Sequence, residues 1–229
     1  RMGVSVRASN ASAMYHLMST GRRQDTDMKI PASVQNSGCL YLHGVLSSPA
    51  SEKAQQMMAF FRDHPQLGTL ATPFIHFAPK DAIALAEAEL LRLQEQHDRV
   101  WIVGSSLGGF YATYLAEKHQ VPAVLVNPAV RPFELFRHYL GEHTHYHTGE
   151  TLLLEACHLD QLEGLNCTEI QSPDNLLLLL QTADETLDYR HAAQLYRACP
   201  AWLEGGGDHS FQHFMDRMPE VMGHLSRCW

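Results

Sequence analysis

The sequence has no apolar run long enough to cross a bilayer. Its longest stretch of pure leucine is the five residues at 176–180, whereas a spanning helix needs about 20 apolar residues. Excess positive charge is also absent. Seventeen Lys and Arg face 25 Asp and Glu, a net of −8, which argues against nucleic acid and anionic membrane surfaces as partners. Paired cysteines are missing too: the five cysteines, at 39, 157, 167, 199 and 228, are odd in number and form no C-x-x-C. Unpaired thiols in a reduced compartment are the simplest reading. Residues 1–37 lack an apolar core of signal-peptide length and any clear periodicity. We therefore expect no export signal there, but an extension that is either a flexible tail or an arm over a sheet edge.

What is present is a steady alternation of apolar runs and helical patterns. At 229 residues, one domain with a full core is expected, spanning 38–229. Strands are predicted at 38–44, 72–77, 100–103, 123–127, 175–181 and 201–204. Helical spacing falls at 51–64, 81–96, 108–119, 188–198 and 211–225. This rhythm implies an α/β domain whose mostly parallel central sheet is flanked by helices. Residues 131–173 are too long for a plain crossover, so they read as a helical lid insert. In such sheets ligands gather outside the carboxyl ends of the strands, and His43, Ser106, Asp184 and His209 each lie just after a predicted strand.

The apolar run at 100–103 leads straight into Gly104-Ser-Ser-Leu-Gly108, a G-x-S-x-G centred on Ser106 and followed by a helical pattern. A nucleophile on such a strand-to-helix turn sits in strained backbone, which small neighbours allow to close. The helix N-terminus beneath it favours developing negative charge. A serine hydroxyl is a weak nucleophile and needs a base, which in turn needs an orienting acid. His209, in the glycine-rich loop Gly205-Gly-Gly-Asp-His209, is the expected base. Asp184 is the expected acid, with Glu185 and Asp188 as spare carboxylates and Asp188 better placed to cap the next helix. An oxyanion hole needs two backbone N–H groups. Leu107 follows the nucleophile and supplies one, and Val45 in the loop after the first strand supplies the other, with His43 holding that loop by a side-chain hydrogen bond.

Five segments carry a resemblance: Tyr41-Leu-His-Gly-Val-Leu-Ser-Ser-Pro49, Gly104-Ser-Ser-Leu-Gly-Gly-Phe-Tyr-Ala-Thr113, Val126-Asn-Pro-Ala-Val-Arg-Pro132, Leu180-Gln-Thr-Ala-Asp-Glu185 and Glu204-Gly-Gly-Gly-Asp-His-Ser-Phe211. In order, from about residue 38 onward, they resemble the small bacterial YqiA-type esterases of the α/β-hydrolase superfamily. The resemblance implies hydrolysis of carboxylic esters of short to medium acyl chains through an acyl-enzyme, with acyl thioesters also possible, in the cytoplasm. It carries Ser106 over as nucleophile, Asp184 as acid and His209 as base. The chain departs from the pattern at Val45, where Phe is expected, at Ala183, where Gly is expected, and in its extra residues 1–37.

The substrate is then expected to meet His43, Gly44 and Leu46 of the first loop and Phe133 and Phe136 of the insert. No cofactor is called for, and no metal. His138, His143, His145 and His147 could suggest zinc, but no Cys or carboxylate set completes the group. The partner is a small acyl ester or thioester, and the chain is expected to be a monomer or homodimer. Two other functions remain open at this point. One is an acyl-CoA thioesterase or acyltransferase, for which Arg131 and Arg137 offer a basic entrance. The other is a catalytically silent hydrolase fold that only binds.

Overall fold

The computed structural model describes residues 28–45, 47–144, 149 and 151–229. In chain order the elements are β1 (Ser37–Leu42), α1 (Glu52–Asp63), β2 (Gly68–Ala71), α2 (Pro79–Gln96), β3 (Val100–Ser105), α3 (Leu107–His119), β4 (Ala123–Val126), α4 (Pro132–Phe136), β5 (Gly141–Thr144), β6 (Thr151–Leu154), α5 (Ala156–Glu163), β7 (Leu176–Gln181), α6 (Tyr189–Leu195), β8 (Ala201–Glu204) and α7 (Met218–Cys228). Six strands form one sheet in the order β2-β1-β3-β4-β7-β8, and every neighbouring pair is parallel. The fold is that of an α/β-hydrolase.

Strand side chains alternate between the two faces of a sheet, and here both faces are apolar. Leu40, Leu42, Ile102, Leu125 and Leu178 point to one side, where they pack with Leu90 and Leu93 of α2, Phe110 and Leu115 of α3 and Ala192 of α6. Cys39, Tyr41, Trp101, Val103, Val124 and Leu179 point to the other, against Met57 and Phe61 of α1 and Val221 and Leu225 of α7. Continuous apolar strands such as the leucine run of β7 are the pattern of a sheet covered on both faces. Each large side chain fully buried there contributes roughly 1.5–3 kcal/mol. The spacing of Ala82, Ala86, Leu90 and Leu93 gives α2 a single buried stripe. Pro79 sits in its first turn, where a missing N–H costs nothing.

Four expectations change. The strand predicted at 72–77 lies instead at Gly68–Ala71, paired with β1 at the sheet edge. Pro73 cannot donate to a ladder, and residues 72–77 leave the sheet as a loop. The closing helix begins at Met218, after a 3-10 turn at Phe214–Arg217. Phe211 and His213 take positive φ (56° and 61°), which keeps the start of the predicted span out of the helix. The insert is not purely helical: β5 and β6 pair antiparallel, Gly141 with Leu154 through Thr144 with Thr151, between the short helices α4 and α5. Finally, the end of the 1–37 stretch joins the body. Ile30 and Val34 are buried (2% and 0% exposed) in the core beneath α1 and α7, and Ser37 opens β1. Residues 1–27 lie outside the described residues.

Candidate active site

Ser106 sits at the end of β3 with φ 57° and ψ −121°, a backbone conformation that costs an L-residue on the order of 1–3 kcal/mol and persists only when its surroundings impose it. They do. The Ser106 N–H donates to the Val126 carbonyl, and its own carbonyl accepts from Gly109 and Ala129. A side chain at Gly104 would collide with the backbone of Gly108, and one at Gly108 with the backbone of Leu42 and His43. The glycines of the motif let strand and helix cross here without a collision.

The carboxyl ends of β7 and β8 carry the other polar groups. His209 Nε2 lies 3.0 Å from Ser106 Oγ. Its Nδ1 lies 2.8 Å from Asp184 Oδ2 and 3.0 Å from Oδ1, so Nδ1–H donates to the carboxylate and Nε2 is left to accept from the hydroxyl. The Asp184 side chain is only 2% exposed. Burial pulls its pKa upward. The bond from His209 and the amides of Leu187 and Thr186 outweigh that pull and hold it below the ordinary carboxylate range. The spare acids have other work. Asp188 caps α6 by accepting from the Arg190 N–H, and Glu185 accepts the backbone N–H of His209 at 3.0 Å.

The loop after β1 closes the site from above. The Ile75 N–H donates to His43 Nε2 at 2.9 Å, which leaves Nδ1 protonated and donating to the Gly44 carbonyl, also at 2.9 Å. In a trans peptide the C=O and the following N–H point in opposite directions. Fixing Gly44 C=O therefore fixes the direction of Val45 N–H. A Cβ on Gly44 would sit 3.2 Å from Ser106 Cβ, so the Gly44–Val45 peptide lies directly beside the nucleophile. Leu107 is the first residue of α3, where a helix leaves its N–H without an intrahelical partner. Among the described residues, neither the Val45 nor the Leu107 amide has an acceptor in a turn or loop bond.

A cleft of about 270 Å³ opens over Ser106 and His209, with Val45, Leu107, Leu135 and Phe136 among its apolar lining. A second, smaller cavity shares Gly44, Val45 and Leu107 with it and runs behind the loop past His43, Phe74, Leu152 and Tyr111. The structure thus brings together Ser106, Asp184, His209, Gly44, Val45, Leu107 and Phe136. Phe133 is a correction: it is buried in the core rather than in the cleft, because the single turn of α4 directs it inward, and Leu135 stands beside Phe136 instead. His43 lines the rear cavity and Leu46 lies outside the described residues. Arg131 is paired with Glu134 on the surface, and neither Arg131 nor Arg137 lines either cavity.

A family model described as an uncharacterised protein family, UPF0227, matches residues 38–225. The chain belongs to the UPF0227 (YqiA) family. Solved structures share its fold at low identity. A protein from Agrobacterium vitis S4 is 21% identical with a TM-score of 0.65, covering 86% of this chain and 90% of that one. Est1E from Butyrivibrio proteoclasticus, solved with ferulic acid bound, is 14% identical with a TM-score of 0.63, covering 84% and 89%. The monoacylglycerol lipase of Paleococcus ferrophilus is 14% identical with a TM-score of 0.62, covering 84% and 95%.

Several residues of this UPF0227 chain escaped the sequence reading. Asn127 ends β4 at φ 40°; its side-chain amide donates to the carbonyls of Asp208 and His209, and its Oδ1 accepts from Gln181 N. Gln181 Oε1 in turn accepts from the amides of Asp208 and Gln212. These two side chains hold the histidine loop in place, and the Asn-Pro motif at 127–128 was the available signal. Lys53, on α1, lines the cleft and donates from Nζ to the Ser210 carbonyl at 2.5 Å. Burial lowers its pKa, and Glu52, Asp208 and Asp184 counter that. Tyr111 is 1% exposed, and among the described residues its hydroxyl has no hydrogen-bond partner. Of the histidine cluster, His145 and His147 lie outside the described residues, and His143 bonds the Tyr139 carbonyl. Glu155, Cys157 and His158 come close together on the surface, but Glu155 and His158 are already engaged in the capping box of α5.

Proposed function

We propose that this chain is a serine carboxylesterase that forms an acyl-enzyme on Ser106. The observation that carries this reading is the unbroken line from Ser106 Oγ through the His209 ring to the buried Asp184 carboxylate, at 3.0 and 2.8 Å. His209 takes the hydroxyl proton as Oγ attacks the ester carbonyl, and Asp184 stabilises the imidazolium that results. The carbonyl oxygen becomes an anion beside Ser106, where the Val45 and Leu107 amides receive it. His209 then returns the proton to the departing alkoxide. Water repeats the cycle on the acyl-enzyme and releases the acid.

The esterase and lipase descriptions of proteins that share this fold support the choice of carboxylic esters. The apolar wall of Leu135 and Phe136 suits short to medium acyl chains, with the insert at 131–173 acting as lid on a body spanning 38–229. Five unpaired cysteines support a reducing, cytoplasmic setting, and no helix among the described residues is long and apolar enough to cross a membrane. A panel of p-nitrophenyl acetate, butyrate and longer esters beside acyl-CoA tests the assignment. Turnover of the oxygen esters, highest at short to medium length, is the expected result. Hydrolysis of acyl-CoA alone would replace the esterase with a thioesterase using the same residues.

A further inference from the structure

The cleft over Ser106 is asymmetric in charge. Its walls hold one cationic side chain, Lys53, and no carboxylate, while Glu52, Asp208 and Asp184 act on it from outside the lining. The lining also holds the hydroxyls of Ser47 and Ser51 and the apolar side chains of Leu135 and Phe136. Among the described residues the Lys53 ammonium has one hydrogen bond, to Ser210 O. An ammonium carries three donors, so two remain for the cleft. Ser51 places no side-chain bond on the first turn of α1, so the positive end of that twelve-residue helix adds to the same field, countered by Glu52 in that turn.

The position of Lys53 says which part of a substrate meets it. His209 must protonate the departing oxygen, so that oxygen sits at Nε2. Lys53 bonds the carbonyl of Ser210, the residue after His209, and lines the same cleft, so it borders the place where that oxygen leaves. We propose that the leaving alcohol of the natural substrate carries a carboxylate and that Lys53 binds it: the substrate is an O-acyl hydroxy acid. The inference rests on the esterase reading and adds the chemistry of its leaving group. Ser106 Oγ forms a bond to the acyl carbon, the C–O bond to the hydroxy acid breaks, and the departing oxygen takes its proton from His209. Water then releases the acyl group as a free acid.

The test compares 4-(butanoyloxy)benzoate with the neutral 4-(butanoyloxy)benzamide on wild type, Lys53→Met, Lys53→Gln and Lys53→Arg, following release of the phenol. Taking each variant relative to wild type cancels the different reactivities of the two phenols. The expected result is that both neutral variants lower the benzoate-to-benzamide ratio of kcat/KM at least about tenfold, as the loss of a charge-assisted contact does. The change falls mainly on KM, Lys53→Arg retains most of the ratio, and about 0.5 M salt erodes the wild-type ratio. If the neutral variants slow both esters equally, Lys53 only steadies the His209 loop through Ser210, and the proposal falls while the esterase stands. If wild type cleaves neither ester, the esterase reading falls and this inference with it.

Discussion

Two walls of the cleft are built in different ways. One is made of strand ends: Ser106 after β3, held by backbone bonds to Val126, Gly109 and Ala129, Asp184 after β7, and His209 after β8, held by the side chains of Asn127 and Glu185. The other is made of the loop after β1, the first turn of α1 and the insert, which contribute Val45, Lys53, Leu135 and Phe136. On the proposed mechanism the strand-end wall carries every group the bond-breaking needs apart from the Val45 amide. The other wall decides what fits beside it. Chemistry that tolerates little displacement rests on the sheet, while selectivity is left to segments outside it.

Substitutions separate the walls. Asp184→Asn is expected to cost roughly 10³–10⁴ in kcat, because imidazolium stabilisation and the correct tautomer are lost. Asp188→Asn still caps α6 and Glu185→Gln still accepts the His209 amide, so each should cost only a few-fold. Steady-state kinetics on the three amide variants checks this. A larger loss in Asp188→Asn or Glu185→Gln than in Asp184→Asn would move the acid. His43→Leu reaches the chemistry from the other wall. It leaves the Ile75 N–H and the Gly44 carbonyl unpaired and frees the Val45 amide, so kcat should fall about tenfold to a hundredfold with KM little changed. Stability should drop by about 1–3 kcal/mol. Full activity in His43→Leu would detach the rear hydrogen bonds from the oxyanion site.

Smaller effects concern stability. The folded pKa of Asp184 is depressed, so its contribution is fully present above the unfolded value of about 3.9 and is lost as pH falls through the folded value. The Tm advantage of wild type over Asp184→Asn should therefore be greatest near neutrality and shrink once pH drops below about 4. An advantage that grew on acidification would reverse the sign of the shift. The smallest effect is expected at Tyr111. Its buried hydroxyl has no partner among the described residues, so Tyr111→Phe should leave Tm unchanged or raise it, by no more than about 1 kcal/mol in stability. A loss larger than that would reveal a partner for the hydroxyl.

The strand-end wall was legible because its signals are local. An apolar run followed by G-x-S-x-G names both an element and a residue, and the order Ser, Asp, His along the chain matches the order of strand ends. The six sheet strands were foreseen, five of them near their true positions. β2 was misplaced because Gly68-Thr-Leu-Ala71 is a half-exposed edge strand with little apolar signal, while the stronger run beyond it contains Pro73. The hairpin of the insert was missed because the leucines at 152–154 are equally consistent with a helix or a strand. Lys53 was invisible for a different reason: nothing in the helical pattern of α1 says that its first turn borders the cleft. Phe133 and Phe136 looked equivalent in sequence, and only the orientation of α4 distinguishes core from cleft.

The proposed function stands or falls with Ser106 as an activated nucleophile. The direct measurement is labelling of intact wild type and of Ser106→Ala by a fluorophosphonate, with the adduct located by mass spectrometry and ester turnover followed in parallel. One adduct on Ser106 is expected, appearing as turnover is lost. Ser106→Ala is expected to stay folded, take no label and retain less than about 10⁻⁴ of wild-type kcat. Absence of labelling in the wild type, an adduct on another residue, or turnover in Ser106→Ala above about a tenth of wild type would contradict the account.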